Sequence, residues 1–379
     1  MAPPNIPSPY AEAHASPAGP DDARPTGTQI LHDNDRVGTM SDKTFLVTGG
    51  TDGLGLETVR TLAKTGAKVF FSARNEDKAK KVLAALVDEG TTDKDLKGAK
   101  IDYVIIDNVS LKSVKSGAED FLRKSDKLNV LINNAGIANV PHGVSEDGFE
   151  TQFATNHVSS MLLALSMLKL THPARPFLSL PAATSLLLKS STPSFNSRVV
   201  AVSSTAHGFA SVQIGNYNQE KKVESGNYDP MCELDDDFNP AIAYGQSKTA
   251  NIWMANEIER RYGAKGLHGL SIHPGNILTA GWGSMDPRIA EKFGPFIEME
   301  SFKAAFKSIP QGVATQVLAA VGKHYEGKGG FYLDDCSVSK AMSEGDMVGL
   351  TGYRPWIYNP EGEKKLWADS LKMVGLNGE

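Results

Sequence analysis

Tyr244 and Lys248 have the residue types and the spacing of an acid/base pair. They lie at the start of a segment, residues 243–262, whose pattern predicts a long helix, and residues i and i+4 share one face of a helix. A neighbouring ammonium favours the phenolate, so we expect Lys248 to lower the pKa of Tyr244 towards the working range. Such a tyrosine can give a proton to a carbonyl oxygen or take one from an alcohol. A tyrosine and a lysine at this spacing are common in helices, so the residues around the pair must decide whether it is catalytic.

Small and polar residues follow the strands that are predicted before this helix. Ser203 and Ser204 come directly after the predicted strand 198–202. At the carboxyl edge of a parallel sheet, a serine hydroxyl can hydrogen-bond a substrate oxygen and stabilise developing negative charge. Asn133-Asn134-Ala135-Gly136 ends an earlier strand, where small residues leave room for a cofactor, and Asp107 is placed to meet an adenine edge.

A glycine-rich loop, residues 48–55, connects the first predicted strand to the first long helix. Glycines there let the main chain turn tightly and approach a pyrophosphate, and the helix start offers free N–H groups to the anion. The spacing Gly-x-x-x-Gly-x-Gly differs from the Gly-x-Gly-x-x-Gly fingerprint, and a plain connecting turn is the alternative. The candidate cofactor contacts in this loop are Gly49, Thr51, Asp52, Gly53, Leu54 and Gly55.

The end of the second predicted strand, residues 68–73, indicates which dinucleotide is bound. A carboxylate there would accept hydrogen bonds from the adenosine ribose and favour NAD(H). This strand carries no acid, and Arg74 follows it directly. A guanidinium can clamp a 2′-phosphate through two hydrogen bonds, so the sequence favours NADP(H), although Asp52 weakens that argument.

Strands and helices alternate from residue 43 onward, which predicts an α/β fold. The expected architecture is a Rossmann-type, doubly wound parallel sheet of about seven strands in a single domain with insertions. The Pro-, Ala- and Ser-rich start predicts a disordered tail over residues 1–40, before a domain over 41–340 and a C-terminal extension over 341–379. Insertions are expected near 171–197 and 208–240; the first is interpreted as a surface excursion, and the second as a surface loop or a substrate contact.

The bulk composition excludes several classes of function. The net charge of −5 carries no block of Lys or Arg, so neither nucleic-acid nor anionic-membrane binding is expected. The apolar runs are too short to span a bilayer. The only cysteines, Cys232 and Cys336, form no CxxC pair, so we expect no disulfide scaffold, no metal site and a reducing, cytoplasmic location. Residues 252–254 are interpreted as interior or subunit contacts, so a homodimer is one expected assembly.

Taken in order, these motifs resemble the short-chain dehydrogenase/reductase family over about residues 43–332. The likeness rests on Thr48 with Gly53-x-Gly55, on Asn133-Asn134-Ala135-Gly136, and on Ser204, Tyr244-x-x-x-Lys248 and His273-Pro274-Gly275. Residues 202–207 and 330–336 resemble the retinol dehydrogenase-like and WW-domain oxidoreductase-like branch.

The resemblance implies a role for each matching residue. Tyr244 would be the acid/base, Lys248 would bind the nicotinamide ribose, and Ser204 would orient the substrate oxygen, with Ser203 as its neighbour or stand-in. Asn156 matches the family asparagine that holds a water in the proton relay. The other implied cofactor contacts are Asp107, Asn108, Asn134, Ala135, Gly136, Pro274, Gly275, Ile277 and Thr279. Asn108 stands where this branch usually has an apolar residue.

The expected function is therefore NADP(H)-dependent interconversion of a ketone or aldehyde and an alcohol. The expected substrate is a small apolar or aromatic molecule, secondary metabolites included. Trp282 and Met285 are interpreted as a lid or as simple packing, and His157 and His207 as structural. Two alternatives are a catalytically weak NADP(H)-sensing protein on the same fold and a nucleotide-sugar epimerase or dehydratase. The full set of Ser204, Tyr244, Lys248 and Asn156 disfavours the first, and the loop spacing disfavours the second.

Overall fold

A computed structural model describes residues 6–168, 185–234, 238–278, 283–343 and 346–376. These residues form one eight-stranded sheet with the order β3-β2-β1-β4-β5-β6-β7-β8. Every neighbouring pair is parallel except β7 and β8. The strands are β1 Thr44–Val47, β2 Lys68–Ala73, β3 Lys100–Ile105, β4 Val130–Asn133, β5 Ser197–Val202, β6 Leu267–Ile272, β7 Phe331–Asp334 and β8 Ser337–Val338. The predicted Rossmann-type α/β fold is confirmed, with one short antiparallel strand beyond the expected seven.

The helices cover both faces of the sheet. They are α1 Ala11–His14, α2 Gly27–Asp33, α3 Gly53–Ala63, α4 Glu76–Glu89, α5 Leu111–Lys124, α6 Thr151–Phe153, α7 Ser159–Leu168, α8 Leu186–Ser190, α9 Pro240–Tyr262, α10 Pro287–Ile297, α11 Glu300–Ala305, α12 Ile309–Gly312, α13 Ala314–Val321 and α14 Pro360–Met373. A π-helical turn, Ala154–Val158, joins α6 to α7. Within the described ranges, no helix is both long enough and apolar enough to cross a bilayer.

Alternation along the strands divides the apolar core into two layers. Successive side chains of a strand point to opposite faces. Phe70 and Leu131 therefore belong to the layer that includes α5, α7, α9 and α14. Phe71 and Ile132, one residue further along, belong to the layer that includes α2, α3 and α13.

The chain reverses its direction of travel across the sheet between β1 and β4, which are adjacent. From β1 the order runs through β2 to β3, whereas from β4 it runs through β5 to β8. A crevice forms at such a switch point, outside the carboxyl ends of the strands. The loops after β1 and β4 border this crevice, and they carry the glycine-rich segment and Asn134.

The N-terminal segment is packed rather than disordered from residue 6 onward, which departs from the expectation for residues 1–40. Ile30 and Leu31 on α2 are fully buried, and Met40 is nearly so. The Thr26 hydroxyl caps α2 by accepting a hydrogen bond from the N–H of Gln29. The physical reason is that these apolar residues complete the core layer around α13, which the Pro-rich composition of the first 25 residues does not reveal.

The C-terminal extension is likewise part of the domain. Leu366 and Trp367 on α14 are buried in the core layer of α9. The indole N–H of Trp253 on α9 donates to the carbonyl of Trp356, 2.9 Å away. Ile252, Trp253 and Met254 are thus interior contacts of one chain. They give no support to the expected homodimer, which stays a prediction.

The two predicted insertions differ in how much of them is described. Residues 169–184 and 235–237 lie outside the described residues, and they include about half of the first insertion and three residues of the acidic run 233–237 in the second. The rest of the second insertion leads into α9. There the Asn239 side chain caps the helix by accepting hydrogen bonds from the N–H groups of Ala241 and Ile242.

Candidate active site

The cap at Asn239 fixes the start of α9, so that Tyr244 and Lys248 stand on its first turns, facing the end of β5. The Lys248 Nζ lies 5.5 Å from the centroid of the Tyr244 ring. It donates a hydrogen bond to the carbonyl of Val202 at the end of β5, 3.1 Å away. The pair therefore shares one face of the helix, as the sequence predicts, and that face meets the carboxyl edge of the sheet.

Burial, rather than mutual charge, dominates the protonation of this pair. It raises the pKa of Tyr244 to about 12, although a hydrogen bond with Ser204 works in the opposite direction. It also lowers the pKa of Lys248 to about 8. The expectation that Lys248 lowers the pKa of Tyr244 towards the working range is therefore wrong. The reason is that desolvation penalises the phenolate more than its neighbours stabilise it.

The two serines after β5 have different environments. The Ser203 hydroxyl donates to the main-chain carbonyl of Lys248, 2.8 Å away, and Ser203 is almost fully buried. The Ser204 hydroxyl instead hydrogen-bonds Tyr244 and accepts from the N–H of Ala206 at 3.1 Å. Ser204 is thus the serine that can reach a substrate oxygen held by Tyr244, whereas Ser203 fixes β5 to α9.

Asn156 lies in the π-helical turn between α6 and α7. Its side-chain amide donates to the carbonyl of Ile137 at 2.9 Å and to the Ser247 hydroxyl at 2.8 Å, while Oδ1 accepts from the N–H of Ile137. A Cβ built on Gly136 would come within 3.0 Å of Asn156 Oδ1 and 3.2 Å of Lys248 Nζ. The three elements that carry Gly136, Asn156 and Lys248 therefore converge on one point.

A groove runs along the switch point and collects most of the predicted cofactor residues. The loops after β1, β2, β3 and β4 form it. Among the residues that line it are Gly49, Thr51, Asp52, Gly53, Leu54, Gly55, Arg74, Asp107, Asn108, Asn134, Ala135 and Gly136. Tyr244, Lys248, Pro274, Gly275 and Ile277 line an adjoining cavity that shares Leu54, Asn134 and Gly136 with the groove. Thr279 lies outside the described residues.

The glycine-rich loop leaves no room for side chains where it approaches the groove. A Cβ on Gly55 would lie 2.1 Å from the carbonyl oxygen of Gly49, and Gly49 itself has φ +67°. The Thr48 hydroxyl accepts hydrogen bonds from the N–H groups of Asn134 and Ala135, at 3.0 and 2.9 Å, and so ties the loops after β1 and β4 together. A bare main-chain cradle at the start of the eleven-residue α3 fits a dinucleotide pyrophosphate.

The sequence reasoning missed three residues around Arg74. Ser72 accepts a hydrogen bond from the N–H of Gly49, and Asn75 caps α4. Lys78, in the first turn of α4, places its Nζ 3.4 Å from a carboxylate oxygen of Asp52. Lys78 thus offsets the acid that weakens the NADP(H) argument. Its place four residues after Arg74, in the first turn of the next helix, is the sequence signal that could have identified it.

The adjoining cavity is about 330 Å³ and mostly apolar. Lys248 carries the only charged side chain among the described residues that line it. Its apolar lining includes Phe209, Met231, Met285, Phe293, Phe296 and Phe302. Met285 lines the cavity and also packs against the apolar cluster that includes Phe209, which agrees with either interpretation, while Trp282 lies outside the described residues.

The neighbouring histidines are buried and structural. The Nε2 of His157 lies 2.9 Å from the Ser370 hydroxyl on α14, and the Nδ1 of His207 lies 2.6 Å from the Ser204 carbonyl. Burial lowers the pKa of His157 to about 3 and that of His207 to about 4, so both rings are neutral at ordinary pH. In the described part of the chain, no three His, Cys, Asp or Glu side chains are grouped to hold a metal ion.

The fold and the groove define a dinucleotide-binding oxidoreductase, and comparison with known proteins gives the family. The model of the short chain dehydrogenase family matches residues 43–174. The short-chain dehydrogenase/reductase prx1 of Penicillium roqueforti is 43% identical over 368 residues, which cover 97% of this chain and 95% of that protein. The chain belongs to the short-chain dehydrogenase/reductase family, and it is an oxidoreductase that acts on CH–OH or C=O groups.

More distant matches agree with the predicted branch and fold. Mouse retinol dehydrogenase 14 is 29% identical over 344 residues, covering 89% of this chain and 88% of that protein. An uncharacterised protein from Mycobacterium paratuberculosis superimposes with a TM-score of 0.59 at 23% identity, over 91% of this chain and 97% of its own. A Shigella flexneri short chain dehydrogenase solved in complex with NADP superimposes with a TM-score of 0.51 at 21% identity, over 79% of this chain and 99% of its own.

Proposed function

We propose that this protein is an NADP(H)-dependent oxidoreductase that interconverts a ketone or aldehyde and an alcohol. The observation that carries the proposal is the meeting of Tyr244, Ser204 and Lys248 where the cofactor groove opens into the apolar cavity. A carbonyl oxygen at this point can face the phenol and the serine hydroxyl together.

Burial prepares Tyr244 to act as an acid in the reducing direction. Because its pKa is raised to about 12, the phenol keeps its proton at neutral pH and can give it to a carbonyl oxygen that gains negative charge. Ser204 donates a hydrogen bond to the same oxygen as the charge develops. The Lys248 ammonium then stabilises the tyrosinate left behind. Asn156, through a water, would complete the path that returns a proton to Tyr244.

The residues of the groove fit NADP(H). The start of α3 would hold the pyrophosphate, and Arg74 with Lys78 would hold the 2′-phosphate. Asp107 and Asn108 would border the adenine, and Ile277 would face the nicotinamide carboxamide. The bound cofactor supplies the hydride. NADP in the Shigella flexneri relative supports this choice.

The chemistry of the cavity supports a neutral, apolar or aromatic substrate. Its aromatic and methionine side chains favour a flat or branched hydrocarbon frame, and no described acid or second cation is available to pair with a charged substrate. A volume of about 330 Å³ suits a small molecule with a few rings rather than a polymer.

The test is NADPH oxidation across a panel of ketones, aldehydes and quinones. Tyr244→Phe should abolish turnover while it keeps NADPH binding, measured by the fluorescence of the bound cofactor. Tyr325→Phe is the matched control, because its buried hydroxyl has no hydrogen-bond partner among the described residues. NADPH binding without turnover of any carbonyl in the wild type would favour the sensing alternative.

Cofactor choice needs a separate experiment. Arg74→Ala and Lys78→Ala should each raise the KM for NADPH and leave the KM for NADH nearly unchanged, because only NADPH carries the 2′-phosphate. Equal turnover of the wild type with NADH and NADPH would refute the proposed role of Arg74.

A further inference from the structure

The N-terminal segment reaches the wall of the substrate cavity through Arg24. This side chain is 5% exposed. Its guanidinium donates hydrogen bonds to the carbonyls of Ala305 at 3.0 Å, Ala304 at 3.3 Å and Phe306 at 2.6 Å, and to that of Gly19 at 3.0 Å. Arg24 therefore contacts three consecutive carbonyls that lie 280 to 282 residues away in sequence.

Those carbonyls end a short helix that cannot satisfy them itself. Helix α11 has six residues, and the carbonyls of its last turn have no partner inside the helix. A cation at a helix C-terminus also interacts favourably with the helix dipole. Arg24 is thus a C-terminal cap that another part of the chain supplies.

The Arg24 charge is itself paired and held. Its Nε donates to a carboxylate oxygen of Asp22 at 2.8 Å. Burial works against the charged carboxylate, but the hydrogen bonds from Arg24 and Ala18 lower the pKa of Asp22 to about 2. Gln311 donates to the carbonyl of Arg24 and to the Asp22 carboxylate. The guanidinium is therefore fixed in place at any ordinary pH.

The segment that Arg24 caps, residues 300–307, contributes Phe302 to the lining of the substrate cavity; we name this segment the strap. On its cavity side, Phe302 packs against Gly349, which lines the same cavity. On its other side, Phe306 forms a parallel bridge with Asn276, and the N–H of Lys307 donates to the Asn276 carbonyl at 2.8 Å. The strap therefore joins the substrate wall to the loop that follows His273.

We propose that Arg24 is a positioning residue for substrate binding. It touches neither substrate nor cofactor, and it acts by holding the strap so that Phe302 closes the cavity beside the loop at Asn276. The inference rests on the proposed function for its kinetic readout. It also assigns a task to a segment that lies before the residues matched by the family model.

The test compares Arg24→Ala and Arg24→Lys with Arg36→Ala. Arg36 belongs to the same segment and also donates to a main-chain carbonyl, that of Val321, at 2.9 Å. It lies over the Phe195 ring, next to the amino end of β5 and so at the edge of the sheet opposite the site. Arg36→Ala thus removes an arginine that anchors the same segment to a main-chain carbonyl, without touching the strap.

For Arg24→Ala we expect the KM for the carbonyl substrate to rise about tenfold, the effect of losing roughly one charged hydrogen bond. The dissociation constant of NADPH should change less, because the groove beside β1 and β2 is untouched. Arg24→Lys, which keeps the charge but not the fork of donors, should recover part of the loss and remains informative if the alanine variant does not fold. Arg36→Ala should leave the KM unchanged even if its Tm falls.

Amide hydrogen exchange in residues 300–307 provides a readout that does not depend on turnover. It should speed up in Arg24→Ala and not in Arg36→Ala. If the wild type reduced no carbonyl, the proposed function would fail, and the exchange experiment alone would decide the role of Arg24. A KM within twofold of wild type, an equal rise in Arg36→Ala, or unchanged exchange in the strap would overturn the proposal.

Discussion

The neighbouring serines Ser203 and Ser204 offer a test in which one atom is removed from each of two adjacent positions. The structure assigns them different tasks: Ser204 faces Tyr244, and Ser203 is bonded to the main chain of α9. We expect Ser204→Ala to lose activity and Ser203→Ala to lose stability.

The magnitudes follow from what each hydroxyl contacts. Loss of a donor to the developing oxyanion lowers kcat by about a hundredfold or more, equivalent to roughly 3 kcal/mol. Ser204→Ala should show that loss together with a fall in Tm of only a few degrees, because its hydroxyl also accepts a hydrogen bond from the N–H of Ala206. Loss of the bond from Ser203 to the Lys248 carbonyl, 2.8 Å long and buried, should cost about 1 kcal/mol of the free energy of unfolding. That is roughly 2 °C in Tm.

The assay is NADPH oxidation with one carbonyl substrate, combined with thermal unfolding of the same preparations. The two losses are measured in the single variants by different quantities, kcat for Ser204→Ala and Tm for Ser203→Ala, because effects at adjacent positions need not add in a double variant. If Ser203→Ala were inactive and Ser204→Ala active, the assignment of the two hydroxyls would be refuted, and with it the orientation of Tyr244.

Three further outcomes are expected. In carbonyl reduction, kcat/KM for NADPH should fall as the pH rises through about 8, where the buried Lys248 ammonium loses its proton; a flat profile to pH 10 would contradict its role. Burial raises the pKa of Glu150 to about 7, so ionisation of its carboxyl opposes folding as the pH rises. Between pH 4.5 and pH 7 the wild type should lose about 3 kcal/mol of unfolding free energy relative to Glu150→Gln, measured by urea denaturation. The same dependence of unfolding free energy on pH in both proteins would refute this. Gly55→Ala should abolish NADPH binding in a fluorescence titration, because its Cβ would lie 2.1 Å from a carbonyl oxygen, whereas Gly294→Ala, with nothing within 4 Å, should bind normally.

Local rules explain why much of the site can be predicted from the sequence. The glycine loop, the strand ends and the i, i+4 spacing of Tyr244 and Lys248 each need only their own segment to be interpreted. The carboxyl ends of parallel strands meet at one edge, so these segments must converge. The groove accordingly collects the predicted cofactor contacts of the glycine-rich loop, with Arg74, Asp107 and Gly136.

The features that escaped prediction depend on partners far away in sequence. Nothing near Arg24 indicates that carbonyls at residues 304–306 need a cap. The pKa of Tyr244 rises because of burial, which spacing does not report. Ser203 and Ser204 differ only in which way each faces from the end of β5, and that follows from the position of α9.

The packing of α14 has a consequence for synthesis on the ribosome. Helix α9, which carries Tyr244, is covered on its Trp253 side by residues that are translated about a hundred positions later. Until α14 emerges, that side is apolar and uncovered, and the His157 ring in the turn beside Asn156 has no Ser370 hydroxyl to meet. A nascent chain that stops before α14 would therefore expose this apolar side of α9, and exposed apolar surface of this kind is what chaperones bind.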